Sequence, residues 1–250
     1  VSSAAEIERV LAGNLRAVEE RMAKACRRAG RDQGSVALVA VTKAARPEWI
    51  PALVQLGVTQ LGENRPQQLA QRAAALRLDA QWHLVGHLQR NKVRLVLPHA
   101  AMIHSVDSRR LLEAIDRVAA ELKLRPRVLL EVNLSREPQK HGFAPEQLLA
   151  EIGALASFRN VSIEGLMTMP AWSEDPQQAR PVFRELRALR DLLRERLRDQ
   201  RPAQRGPHEP PSPPLNELSM GMTADFDVAI EEGATLVRIG TALWQGLKQG

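Results

Sequence analysis

Lys43 stands one residue beyond Thr42, at the carboxyl end of the apolar run Val36-Ala37-Leu38-Val39-Ala40-Val41. The run is rich in β-branched residues and short, which is the signature of a buried strand. A lysine placed where such a strand leaves the core is partly stripped of water. That favours the neutral amine, the nucleophile that condenses with an aldehyde to give a Schiff base. The same position also suits a lysine that snorkels to solvent and has no chemical task. The rest of the chain has to separate the two readings.

Two segments near the C-terminus bear on it. Ser219-Met220-Gly221-Met222 offers a hydroxyl and a glycine that lets backbone approach a ligand, with Thr223 opening the next helix. Gly240-Thr241 repeats that chemistry one strand later. Each alone is an ordinary strand-to-helix turn. Together, two small-residue turns with free N–H groups at adjacent helix starts form a cup for phosphate. Arg238, inside the strand-like Leu236-Val237-Arg238-Ile239, needs a partner for its guanidinium. Pyridoxal phosphate would satisfy all three features. Its aldehyde would meet Lys43, its phosphate would contact Ser219, Gly240 and Thr241, and its pyridine nitrogen would face Arg238. An arginine at that nitrogen disfavours its protonation and weakens the ring as an electron sink.

These residues need a scaffold that brings distant strand ends together. Strand patterns fall at residues 36–41, 59–61, 81–85, 102–104, 128–134, 161–167, 216–219 and 235–239. Helical patterns separate them at 47–56, 66–76, 90–97, 108–122, 145–156, 176–198 and 224–232, after an amphipathic helix at 4–28. Strands alternating with helices imply a parallel sheet, and about eight such units imply a single (β/α)8 barrel with an N-terminal helix, spanning residues 1–250. In such a barrel function sits after the carboxyl ends of the strands, where the chain also places Gly62-Glu63-Asn64, His83 to Asn91, His104-Ser105 with Asp107, Glu131 and Asn133. Residues 201–214 contain six prolines and read as an inserted surface loop on the opposite, amino-terminal rim.

Composition excludes several classes. The 35 basic and 29 acidic side chains leave a net charge of +6, which steers small anions as readily as nucleic acid. With no Tyr, four Phe and four Trp, little is available for base stacking, so no nucleic-acid partner is expected. The lone Cys26 excludes an internal disulfide. His83 and His87 are four apart but straddle a strand end, so they share no helix face and no metal site is expected. Neither a signal peptide nor a membrane span is visible, and a cytoplasmic protein is expected.

Several blocks resemble those of the pyridoxal phosphate homeostasis proteins. They are Val41-Thr42-Lys43, Gly62-Glu63-Asn64, His83-Leu84-Val85-Gly86-His87-Leu88-Gln89 with Asn91-Lys92, and Ile103-His104-Ser105-Val106-Asp107. Glu131-Val132-Asn133, Gly165-Leu166-Met167, Leu218 to Met222 and Val237 to Thr241 continue the series in order. The resemblance implies a barrel like the N-terminal domain of alanine racemases, with the cofactor in Schiff-base linkage to Lys43. It implies cofactor contacts from Asn64, His83, Ser219, Gly221, Met222, Arg238, Gly240 and Thr241, and no catalytic residue. It further implies a monomeric carrier or regulator of vitamin B6 pools, with apo forms of pyridoxal phosphate enzymes as partners. The sequence departs from the family at Arg65-Pro66, where an aromatic and an aliphatic residue are usual, and in the proline-rich insert. The alternative is an amino-acid racemase or lyase on the same barrel. Those enzymes add a β-domain and a catalytic tyrosine, whereas this chain has no tyrosine and is expected to have no room for a second domain after Gly250.

Overall fold

The computed structural model describes residues 3–135, 141–199 and 213–247. Helix α1 (Ala4–Arg28) opens on Ser3, whose hydroxyl accepts the Glu6 N–H, and closes with Arg27 and Arg28 in its last turn. Both ends therefore follow the usual capping and dipole rules. After it come β1 (Ala37–Val41), α2 (Trp49–Gln55), β2 (Gln60–Glu63), α3 (Pro66–Leu76), β3 (Gln81–Leu84), α4 (Val93–Val96), β4 (Ala100–Val106) and α5 (Arg109–Leu122). The second half runs β5 (Arg127–Glu131), α6 (Pro145–Leu155), β6 (Ser162–Met167), α7 (Arg180–Asp199), β7 (Glu217–Met222), α8 (Phe226–Glu231), β8 (Leu236–Ile239) and α9 (Thr241–Trp244).

The eight strands pair in parallel in sequence order, and β1 closes on β8, with Val39 opposite Arg238 and Ala40 opposite Ile239. This is the closed (β/α)8 barrel expected from the alternation of elements. Val39, Val41, Val85, Met102, Leu129, Met167 and Leu236 pack together as one small cluster that fills the interior. A larger cluster joins the outward faces of the strands to the helices and includes the α1 stripe Leu11, Leu15, Val18 and Met22. The Asn14 amide donates to Leu243 O (2.9 Å) and Gln245 O (2.8 Å), tying α1 to the end of α9 beside the β8–β1 seam.

The departures from the expected elements are local. The strand expected at 216–219 extends to Met222, so Gly221 and Met222 belong to β7 and not to the turn after it. The helix expected at 90–97 divides into a 3-10 turn and the short α4, and the one at 176–198 likewise begins as a 3-10 turn. Most of the proline-rich segment, residues 200–212, lies outside the described residues. No helix among the described residues is long and apolar enough to cross a membrane.

Candidate functional site at the mouth of the barrel

Lys43 lies two residues beyond Val41, a member of the interior cluster, and is exposed. The partial burial expected for it is not what the structure shows: the strand ends at Val41 and the turn lifts the side chain clear of the core. The backbone on both sides of the lysine is held. The Trp244 indole donates to Val41 O at 2.9 Å. Arg72 of α3 reaches under the turn and donates to Thr42 O (2.6 Å) and Ala45 O (2.7 Å). Its charge is balanced by Glu63, which is fully buried at the end of β2 and also accepts from the Thr42 hydroxyl. A buried ion pair needs such additional hydrogen bonds to offset its desolvation. The effect is an exposed amine on an anchored turn. Sequence reading missed Arg72, because a single arginine on a helical face carries no local signal of what it reaches.

Arg238 occupies the interior face of β8 and is 4% exposed. Burial pushes its guanidinium down to about 10, against the opposing pull of Asp225 and Glu131, so it remains charged at neutral pH. It donates to Ser219 Oγ at 2.6 Å and to Thr168 O at 3.0 Å. Ser219 Oγ lies 2.8 Å from His104 Nδ1, and His104 Nε2 lies 2.9 Å from His83 Nδ1. Burial lowers His83 to about 4 and holds His104 well below the ordinary histidine range, so both rings are neutral. These contacts allow one continuous proton order. Arg238 donates to Ser219, Ser219 to His104, and His104 to His83, which leaves a proton on His83 Nε2. That buried atom has no partner among the described residues.

The surroundings of three residues expected at the cofactor are as follows. Ser219 is fully buried, with its hydroxyl engaged by Arg238 and His104. Gly221 has a role in the fold itself. Its φ is +91°, and an added Cβ would lie 2.5 Å from Ala229 Cβ, so it serves the packing of α8 on a strand that bulges against β8. Met222 is exposed, but its N–H is taken by Asp225 Oδ1 at 2.6 Å. Gly240 and Thr241 do stand at the rim, and no side chain caps the start of α9. Asn64 is half-buried directly after β2. His83 and His87, considered together in the sequence, diverge: His83 faces His104 inside the barrel, whereas His87 is exposed beside Asp107.

The donor set fits pyridoxal phosphate. It offers a primary amine for the aldehyde, a charged guanidinium on β8, the strand paired with β1, for a pyridine nitrogen, and a helix start without a side-chain cap at Gly240–Thr241 for an anion. These features define a barrel of the alanine racemase N-terminal type, and the family model described as alanine racemase, N-terminal domain, matches residues 13–247. A pyridoxal phosphate homeostasis protein of Aquifex aeolicus is 40% identical over 231 residues, covering 92% of this chain and 95% of the relative. The chain belongs to the pyridoxal phosphate homeostasis protein family. Among solved structures, PipY of Synechococcus elongatus with pyridoxal phosphate bound is 35% identical, with a TM-score of 0.76 over 90% of this chain and 99% of that one. Alanine racemase from Corynebacterium glutamicum is 16% identical with a TM-score of 0.70, a likeness of fold alone.

Proposed function

We propose that this protein holds pyridoxal 5'-phosphate covalently through Lys43, releases it to apo forms of pyridoxal phosphate enzymes, and does not turn over amino acids efficiently. The observation that carries this reading is the exposed Lys43 amine on a turn clamped by Arg72 and Trp244, at the end of the strand that pairs with β8, which carries Arg238 and leads into Gly240–Thr241. The bound PipY relative supports it. The cofactor would supply an aldehyde for the amine and an electron-withdrawing ring. Arg238 would donate to the ring nitrogen, and the relay through Ser219 and His104 would hold the guanidinium in place. Backbone N–H groups at Gly240 and Thr241 would take the phosphate. An arginine at the ring nitrogen keeps that nitrogen unprotonated, which suits a carrier better than a catalyst of carbanion chemistry. Racemase or lyase activity, the alternative, rests on the fold, and a fold does not specify a reaction.

The test is spectroscopic. Full-length protein mixed with pyridoxal phosphate should turn yellow, and borohydride reduction should fix one cofactor on Lys43, located by peptide mass. Lys43→Ala should lose both signals. Because the side chain is exposed, its stability should change by no more than about 0.5 kcal/mol. A full-stoichiometry reducible adduct in that variant would refute the assignment.

A further inference from the structure

A second group of ligating side chains lies on the same rim, around the ends of β3, β4 and β5 and away from the β8–β1 seam. His87 Nδ1 is 3.1 Å from Asp107 Oδ2, and His141 Nδ1 is 3.6 Å from the same oxygen. The two imidazoles stack with centroids 4.3 Å apart at 21°. Three ligand atoms, one from each residue, lie within 4.8 Å of one another. Cation–ligand bonds of about 2.0–2.1 Å in tetrahedral geometry require ligand atoms about 3.3 Å apart. The two distances to Asp107 bracket that value. The 3.6 Å approach of His141 is too long for a hydrogen bond, so the convergence of both Nδ1 atoms on one oxygen is not explained by hydrogen bonding alone.

The local structure sets all three residues in place. The Ser105 hydroxyl donates to Gly86 O at 2.6 Å and holds the turn that carries His87 against β4. Asp107 follows β4 immediately, and its Oδ1 accepts from the Ser108 hydroxyl at 2.9 Å, leaving Oδ2 toward the imidazoles. His141 precedes Gly142, whose φ of +119° and close approach to Asn133 N only glycine can supply. That approach lets Phe143 N donate to Glu131 O at 2.8 Å and lays the loop along β5. His87, Asp107 and His141 all line one pocket of about 500 Å³, together with Arg90 and Arg110.

We propose that His87, Asp107 and His141 bind a divalent transition-metal ion. Two imidazoles and one carboxylate suit Zn²⁺, Co²⁺ or Ni²⁺, whereas Mg²⁺ and Ca²⁺ prefer all-oxygen sites. Three protein ligands leave a coordination position for water or an anion from the pocket, the arrangement of an open site and not of a closed structural one. The site shares no residue with the proposed cofactor site and does not depend on that reading.

The experiment uses full-length, untagged protein freed of pyridoxal compounds, titrated with Zn²⁺ in a calorimeter and with Co²⁺ in a visible spectrophotometer. One equivalent should bind, the Co²⁺ adduct should show the intense band of low coordination number, and millimolar Mg²⁺ should not compete. Asp107→Asn keeps the acceptor for Ser108 and should weaken binding at least about tenfold. His87→Ala/His141→Ala should abolish it while thermal unfolding of the metal-free protein is unchanged, since both rings are exposed. No uptake by the wild-type protein would overturn the proposal, as would uptake that survives the double substitution at full stoichiometry. In either case Asp107 would be no more than a carboxylate paired with histidine.

Discussion

Ser219 and Glu131 are the residues whose environments make the sharpest statements. Ser219→Ala would leave Arg238 and His104 each short of a buried hydrogen-bond partner, which costs on the order of 1–3 kcal/mol. Because its influence on the mouth passes through Arg238, affinity for pyridoxal phosphate and for pyridoxal should fall by similar factors, measured by absorbance titration. A loss confined to the phosphorylated ligand would place the Ser219 hydroxyl at the phosphate. Glu131, buried near Asp107, is raised from an ordinary 4.5 to about 7. Between those values the folded protein holds a proton that the unfolded chain has lost, so this group's contribution to stability falls as pH rises through the window. His83, lowered to about 4, acts in the opposite sense, gaining stability as pH rises toward its ordinary 6.5. The two are separated by comparing wild type with Glu131→Gln in urea unfolding. The stability of wild type relative to the variant should decline between about pH 5 and pH 8 by on the order of 2–3 kcal/mol.

At the scale of elements, the turn after β1 depends on α3 and α9 as well as on its own residues. Arg72→Met would leave Glu63 buried and uncompensated, and breaking such a pair costs about 3–5 kcal/mol. Urea unfolding should show that loss. Arg72→Met combined with Glu63→Leu should recover most of it, since replacing both partners removes the stranded charge. The double variant should still bind pyridoxal phosphate more weakly than wild type, because Thr42 O and Ala45 O would have lost the donors that fix the turn. Equal affinity would mean that Arg72 is not needed to hold Lys43 in place.

For the molecule as a whole, the reading as a carrier is tested by turnover. The chain contains no tyrosine, so the phenol that serves racemases as an opposite-face acid/base is missing. Cofactor-loaded protein incubated with alanine, serine and other amino acids in deuterated water should show neither stereoinversion nor α-deuteration at about 1 per second or faster, within the usual range of enzymes. Rates at that level would make it an enzyme. Transfer should appear as reactivation of an apo-enzyme by loaded protein, and Lys43→Ala should abolish it.

How much of this was legible in the sequence follows from which interactions are local. Strand and helix placement, the barrel and the position of Lys43 came from periodicity and from where apolar runs stop, properties of short stretches of chain. The small-residue turn at Gly240–Thr241 was legible for the same reason. The partners of buried polar groups were not. A serine after a strand looks alike whether it faces the mouth or the interior, so the protein contacts of Ser219 could not be read. Only closure of the barrel brings it to His104, 115 residues away, and to Arg238. The added residue at the β7 bulge and the reach of Arg72 are likewise products of register and packing. His87, Asp107 and His141 come from three separate loops, so no spacing in the chain announces their convergence. The sequence determined which elements form and where an amine leaves the core; the tertiary structure decided which side chains meet, because strand pairing sets neighbours that sequence distance does not encode.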